Sequence, residues 1–134
     1  MSESKTTMPV PSYNWETIPS REMRPGLVHS DFRGNNVVIG RSLLHPGMTT
    51  KPHKHVYEQI FMILEGRVTL HIEEQEIDCP AGTIVRIPPN ALHWADGPKE
   101  GVAVNLDVWS PYREDYGEYT KYQTDDFDTP APGK

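Results

Sequence analysis

The residues with the clearest chemistry are three histidines. His53-Lys54-His55 is followed by Gln59, and His93 comes later in the run Pro88-Pro89-Asn90-Ala91-Leu92-His93. Imidazole nitrogens with an amide oxygen can hold one divalent transition metal, and such a set suits Fe, Ni, Zn, Cu or Mn. The spacing selects the element that presents them. Side chains two residues apart point to different faces of a helix but to the same face of a strand. In an extended segment His53, His55 and Gln59 therefore share one side and Glu58 faces the other. A second strand must then bring His93. Gln59 and Glu58 are both open as the fourth ligand.

A second group lies in residues 102–110. Val102, Val104, Leu106 and Val108 alternate with Ala103, Asn105, Asp107 and Trp109. If the polar face points inward, toward the histidines, Asp107 is a buried carboxylate beside a cation and can act as acid or base, with Trp109 as a wall. The plainer alternative is that Asp107 pairs with Arg113 or caps a turn near Pro111. The outward apolar column then needs cover. Residues 58–64 pose the same problem, with Phe61 and Ile63 on one side and Ile60, Met62 and Leu64 on the other. A homodimer interface is expected there.

The elements that must position these groups are strands. Thirteen prolines and ten glycines punctuate the chain, and between them lie short runs rich in Val, Ile, Leu and aromatics, the pattern of an all-β sandwich or small antiparallel barrel. Strands are expected at 27–32, 36–44, 58–64, 67–73, 83–87, 91–95 and 102–110. Leu64-Glu65-Gly66 is expected to close a hairpin, and a turn is expected within 31–36. Residues 13–123 form one domain in this reading, with a mobile Ser-, Thr- and Pro-rich tail at 1–12 and an acidic tail at 124–134. Tyr112, Tyr116 and Tyr119 share one face of a short helix, more as a packing arm than a ligand platform. His29 and His71 read as packing or surface histidines, His71 pointing to water. His45 shares parity with Arg41 and could line the pocket.

Charge and composition exclude several roles. The 134 residues carry 13 Lys plus Arg against 19 Asp plus Glu, a net charge of −6. Nucleic-acid binding needs clustered cations, and these are scattered. The longest apolar run, Ile60 to Leu64, falls far short of a membrane span of about 20 residues. The first residues lack the apolar stretch of a secretory signal, and the lone Cys79 cannot make an internal disulfide, so a cytoplasmic location is expected.

The pattern Gly47-x5-His53-x-His55-x3-Gln59-x6-Gly66, then Gly82-x5-Pro88-x-Asn90-x2-His93, resembles the two motifs of the cupin superfamily. That resemblance implies a small antiparallel jelly-roll barrel, the RmlC-like double-stranded β-helix, holding a metal through His53, His55, Gln59 and His93. The commonest motif has Glu where Gln59 stands. A neutral amide beside three neutral imidazoles leaves a divalent ion its full charge, which makes it a stronger Lewis acid and a better host for an anionic substrate.

Asp107-x-Trp109-Ser110-Pro111-x-Arg113 is similar to a segment of the small cupins of pectin and alginate breakdown, which turn unsaturated uronates into linear keto acids. Those proteins also carry a Gln ligand, and the likeness covers residues 24–113. It implies carbohydrate metabolism, with a small sugar-acid-like substrate whose carboxylate pairs with Arg113 while Asp107 moves a proton in an isomerisation or ring opening. Two other readings fit the same residues: a mononuclear non-haem metal dioxygenase, and a non-catalytic cupin that binds a metal or small ligand.

Overall fold

A computed structural model describes residues 10–123, 126 and 127. The rest of both expected tails, residues 1–9, 124–125 and 128–134, lies outside the described residues. Within the second, Asp126 accepts a hydrogen bond from the Tyr13 hydroxyl at 2.8 Å and the Phe127 ring lies under the Arg33 guanidinium at 3.8 Å.

Among the described residues nine strands form: β1 Arg21–Arg24, β2 Leu27–Arg33, β3 Val38–Leu44, β4 Glu58–Glu65, β5 Arg67–Ile72, β6 Gln75–Pro80, β7 Ile84–Ile87, β8 His93–Asp96 and β9 Ala103–Ser110. A kinked 3-10 helix, Glu114–Gln123, follows. All pairing is antiparallel, in a six-stranded sheet ordered β1-β2-β3-β9-β4-β7 and a three-stranded sheet ordered β6-β5-β8. The expected all-β jelly roll is the fold observed.

Alternation sets what faces inward. On β4 the buried residues are Gln59, Phe61 and Ile63, and on β5 they are Val68, Leu70 and Ile72. With Leu27, Leu44, Ile87 and Cys79 they form a core between the two sheets. Each fully buried aliphatic side chain of this kind contributes about 1.5–3 kcal/mol. The polar column of β9 does point inward: Asn105, Asp107 and Trp109 are buried, while Leu106 and Val108 are half-buried on the outer face.

The turn at Gly66 differs from expectation. β4 pairs with β7 and β9, and β5 pairs with β6 and β8, so Leu64-Glu65-Gly66 carries the chain from one sheet to the other and closes no hairpin. A bulge between Ile63 and Glu65 bends β4, and Gly66 at φ +80° lets the backbone pass against Ala103, where a Cβ would sit 2.8 Å from the Ala103 Cα. The actual hairpin is β5–β6, turned at Glu73-Glu74 with Glu73 at φ 52°.

Candidate metal centre

His53 lies just before β4 in otherwise irregular backbone and makes an antiparallel bridge with His93, each backbone N–H donating to the other's carbonyl at 3.1 and 2.9 Å. That pairing sets the two rings side by side, 4.3 Å between centroids, and His55 stands 5.0 Å from His93. One ring nitrogen from each of the three lies within 4.8 Å of the others. The group is positioned to hold a metal ion.

The second nitrogens determine which atoms are available. Nδ1 of His53 donates to the Lys51 carbonyl at 2.7 Å, Nδ1 of His55 to the Tyr57 carbonyl at 2.9 Å, and Nδ1 of His93 to the Ala91 carbonyl at 2.8 Å. A carbonyl can only accept, so the proton of each neutral ring is on Nδ1 and each Nε2 carries a bare lone pair. Nε2 of His93 is buried without a hydrogen-bond partner among the described residues. Desolvation holds all three below the usual histidine range, with Arg113 adding to it, and takes His93 to about 4. Three neutral imidazoles, one buried and two half-buried, with their second nitrogens anchored fit a metal.

Gln59 presents an unusual contact. Its Nε2 donates to Asp107 Oδ1 at 2.7 Å, which turns Oε1 toward His55 Nε2 at 3.0 Å. With Nδ1 of His55 committed to Tyr57, that contact sets two lone pairs against each other. Glu58 faces the other way, in an ion pair with Arg86 at 2.5 Å on the outer face. Asp107 is buried and also accepts from Asn105 at 3.4 Å. Burial pushes its carboxyl up to about 6, against the opposing hydrogen bonds from Gln59 and Asn105.

Asp107 does not pair with Arg113. Arg113 is buried, its Nε donates to Asp115 at 2.9 Å, and its guanidinium lies 3.9 Å from the Tyr116 ring centre, 5.0 Å from Trp109 and 5.5 Å from Tyr57. Trp109 and Asp107 line a cavity with His53, His93 and Gln59. About 100 Å³ of it is open to the centres of water molecules.

Much of the cavity floor comes from residues that the alternation of β9 does not point to. His29 is buried between Ser42 Oγ, 2.7 Å from Nδ1, and Asp31 Oδ1, 2.8 Å from Nε2, and both His29 and Ser42 line the cavity. The available signal was the odd-numbered set of β2, His29, Asp31 and Arg33, which faces inward with Leu27. Tyr116, from the 3-10 helix, and Arg24, from β1, also line the cavity, whereas His45 does not. His71 is largely covered, stacked on Trp94 at 4.5 Å and bonded to Asp96 at 2.7 Å, so it does not project freely into water.

The cupin domain profile matches residues 40–109, which span β3 to β9 and include all three histidines. The chain is a cupin. Among solved cupins, an RmlC-like protein from Shewanella frigidimarina superposes with a TM-score of 0.71 at 20% identity, covering 78% of this chain and 93% of that one. KdgF from a Halomonas species gives 0.70 at 19% identity, covering 77% and 96%. An auxin-binding protein of Nicotiana tabacum is 30% identical over 105 positions, 65% of this chain and 56% of the relative. This cupin spans about half the length of the curated relatives it matches.

Proposed function

We propose that this cupin is a metal-dependent enzyme for a small, anionic, sugar-acid-like substrate, acting by assisted proton transfer in an isomerisation or ring opening. The observation that carries the reading is the convergence of three bare Nε2 atoms beside the Oε1 of Gln59. Two lone pairs 3.0 Å apart repel unless a proton or a cation lies between them. Burial and Arg113 disfavour the proton on His55, so a cation held by these residues would relieve the contact. His53, His55, His93 and Gln59 are the proposed ligands of one divalent transition ion. Such an ion polarises a hydroxyl or carbonyl oxygen of a bound ligand.

The chain's own groups supply the rest. Arg113, clasped by Tyr57, Trp109 and Tyr116, takes the substrate carboxylate. Asp107, with its carboxyl near 6, exchanges a proton with the substrate carbon or oxygen close to neutral pH. Trp109 keeps water from that side of the cavity. The fold likeness to KdgF and the Asp107-x-Trp109-Ser110-Pro111-x-Arg113 segment support a uronate as the first substrate to test.

The test is metal analysis together with turnover of an unsaturated uronate, followed by loss of its double-bond absorbance. Wild type should hold about one transition metal per chain and consume the substrate. Asp107→Asn and Arg113→Ala should keep the metal and lose turnover. Wild-type activity in either variant overturns the assignment, and oxygen consumption with bound iron would move the reaction to the dioxygenase class.

A binding role without turnover is the second reading. It draws on the auxin-binding name of the tobacco relative and on Asp107 Oδ1, which already accepts from two amides. Metal without turnover, with ligand binding retained in Asp107→Asn, would favour it.

The proposed homodimer rests on the outer face of the large sheet. There Val108, Ile60 and Arg86 lie in one row and Leu106, Met62 and Ile84 in the next, with Ile84 68% exposed. Light scattering of Met62→Lys should give a monomer if this face is the interface, and an unchanged mass would reject it.

A further inference from the structure

One cation, Arg24, lines the cavity, and a second, Arg113, lies 5.0 Å from the Trp109 ring centre and 3.9 Å from that of Tyr116, two residues of the lining; the proposed function uses only Arg113. Arg24 sits on edge strand β1, where a bulge between Glu22 and Arg24 breaks the register against β2 and lets consecutive residues Met23 and Arg24 both line the cavity. Its Nε donates to the Thr49 carbonyl at 2.7 Å, which fixes the plane of the guanidinium. Arg41, Arg67, Arg86 and Arg113 each pair with a carboxylate. Among the described residues Arg24 pairs with none, although it is half-buried in a chain whose acids outnumber its Lys and Arg by 19 to 13. A partly desolvated cation without a counter-ion costs free energy that a bound anion recovers.

The remaining charges limit where that anion can sit. Asp31 and Asp107 lie in one cross-strand row of the floor, on either side of Gly40, and repel negative charge from the depth of the cavity. Arg24 and Arg113 both act electrostatically on His53, and both act on the Tyr116 hydroxyl, so the metal group and Tyr116 stand within reach of both cations. The floor offers hydrogen bonds for neutral hydroxyls, while Arg24 on the lining and Arg113 beside Trp109 and Tyr116 offer two sites for negative charge.

We infer that the ligand of this site carries two anionic groups, a short dicarboxylic acid held at one end by Arg113 and at the other by Arg24. The inference rests on the proposed function for the role of Arg113 and moves its substrate class from a sugar acid with one carboxylate, such as a uronate, to a molecule with an acid group at each end. Arg24 is then the residue that separates diacids from monoacids.

Calorimetric titration with matched pairs tests it: malonate against propionate, succinate against butyrate and glutarate against valerate, on wild type and Arg24→Gln, each metal-loaded and metal-free. A charge-assisted contact predicts that wild type prefers the best diacid by about tenfold or more, and that Arg24→Gln removes this preference while changing monoacid affinity by less than about twofold. Diacids also chelate metals, and that contribution does not depend on Arg24. A preference that survives Arg24→Gln, or no diacid preference at any of the three lengths, overturns the inference. The proposed metal site fails separately, if wild type takes up no metal. An Arg24-dependent preference seen in the metal-free protein keeps the diacid site standing in that case.

Discussion

The cavity has histidines at its rim and at its floor, and the two are held differently. At the rim, His53, His55 and His93 each spend Nδ1 on a backbone carbonyl and leave Nε2 bare. At the floor, His29 uses both nitrogens, one on Ser42 and one on Asp31. His29 on β2 and His93 on β8 are almost equally buried, whereas His53 and His55 are half-buried and lie outside the strands. Burial therefore does not distinguish a proposed ligand from a structural histidine. The distinguishing feature is a second nitrogen left without a partner while the first is anchored.

Substitutions can break that contrast. The largest effect is expected at His93→Ala, which removes a proposed rim ligand and should weaken metal binding by more than the roughly 10–100-fold that loss of a ligand's outer-shell partner costs. Metal analysis and zinc titration check it, and full occupancy in the variant would mean the rim is not the site. His29→Ala should do the reverse. It leaves Asp31 buried and unpaired, which costs about 3–5 kcal/mol in urea unfolding of the metal-free protein, with metal content unchanged. Gln59→Ala comes next, with metal affinity falling by about 10–100-fold if Oε1 is a ligand. An unchanged affinity would reduce Gln59 to a tether for Asp107.

Acid sharpens the comparison further. The rim histidines have pKa values lowered by folding, so their contribution to stability is present above about 6.5 and is lost as the pH falls, for His93 down to about 4. Each contributes at most about 1.4 kcal/mol per pH unit. Asp107 works the other way, because its carboxyl is raised from 3.8 to about 6 and its contribution is lost as the pH rises through that interval. Stability of the metal-free protein should therefore fall on acidification from 6.5 to 4, and fall more steeply in Asp107→Asn. Urea unfolding across that range measures both slopes. The smallest effect belongs to Glu58→Gln, within about 0.5 kcal/mol and with metal unchanged, since its partner Arg86 is on the exposed face.

The parts of this arrangement that could be read from the sequence were those governed by alternation. Asn105, Asp107 and Trp109 were expected on one face because a strand has no other choice, and β9 is central, with β3 on one side and β4 on the other. The histidine pair was expected to converge on one side, and it does, although the backbone that presents it joins a strand only at the His53–His93 bridge. Strands β1 and β6 were missed because both are sheet edges. Their sequences, Arg-Glu-Met-Arg and Gln-Glu-Ile-Asp-Cys-Pro, carry the charges that suit an edge and hide the apolar signal. The hairpin assigned to Leu64-Glu65-Gly66 failed because a glycine at positive φ serves a sheet-to-sheet crossing as well as a tight turn. The real hairpin escaped notice because Glu73-Glu74 carries no glycine or asparagine. His29 and Asp31 were hidden by their own pairing, since a polar residue facing a core is recognised only when its partner is known.

Gly40 sits where the floor and the aromatic wall meet. A Cβ there would come within 2.7 Å of the His29 ring, 2.8 Å of Trp109 and 2.9 Å of Asp31. None of these neighbours is a proposed metal ligand. One mutational step at this position would therefore reshape the cavity while leaving the rim histidines as they are. It would also unsettle the His29–Asp31 pair, so a second change would have to accompany it. Descendants of this sequence can thus reshape the cavity without first giving up the proposed metal ligands, but only by paths in which positions 29, 31, 40 and 109 vary together.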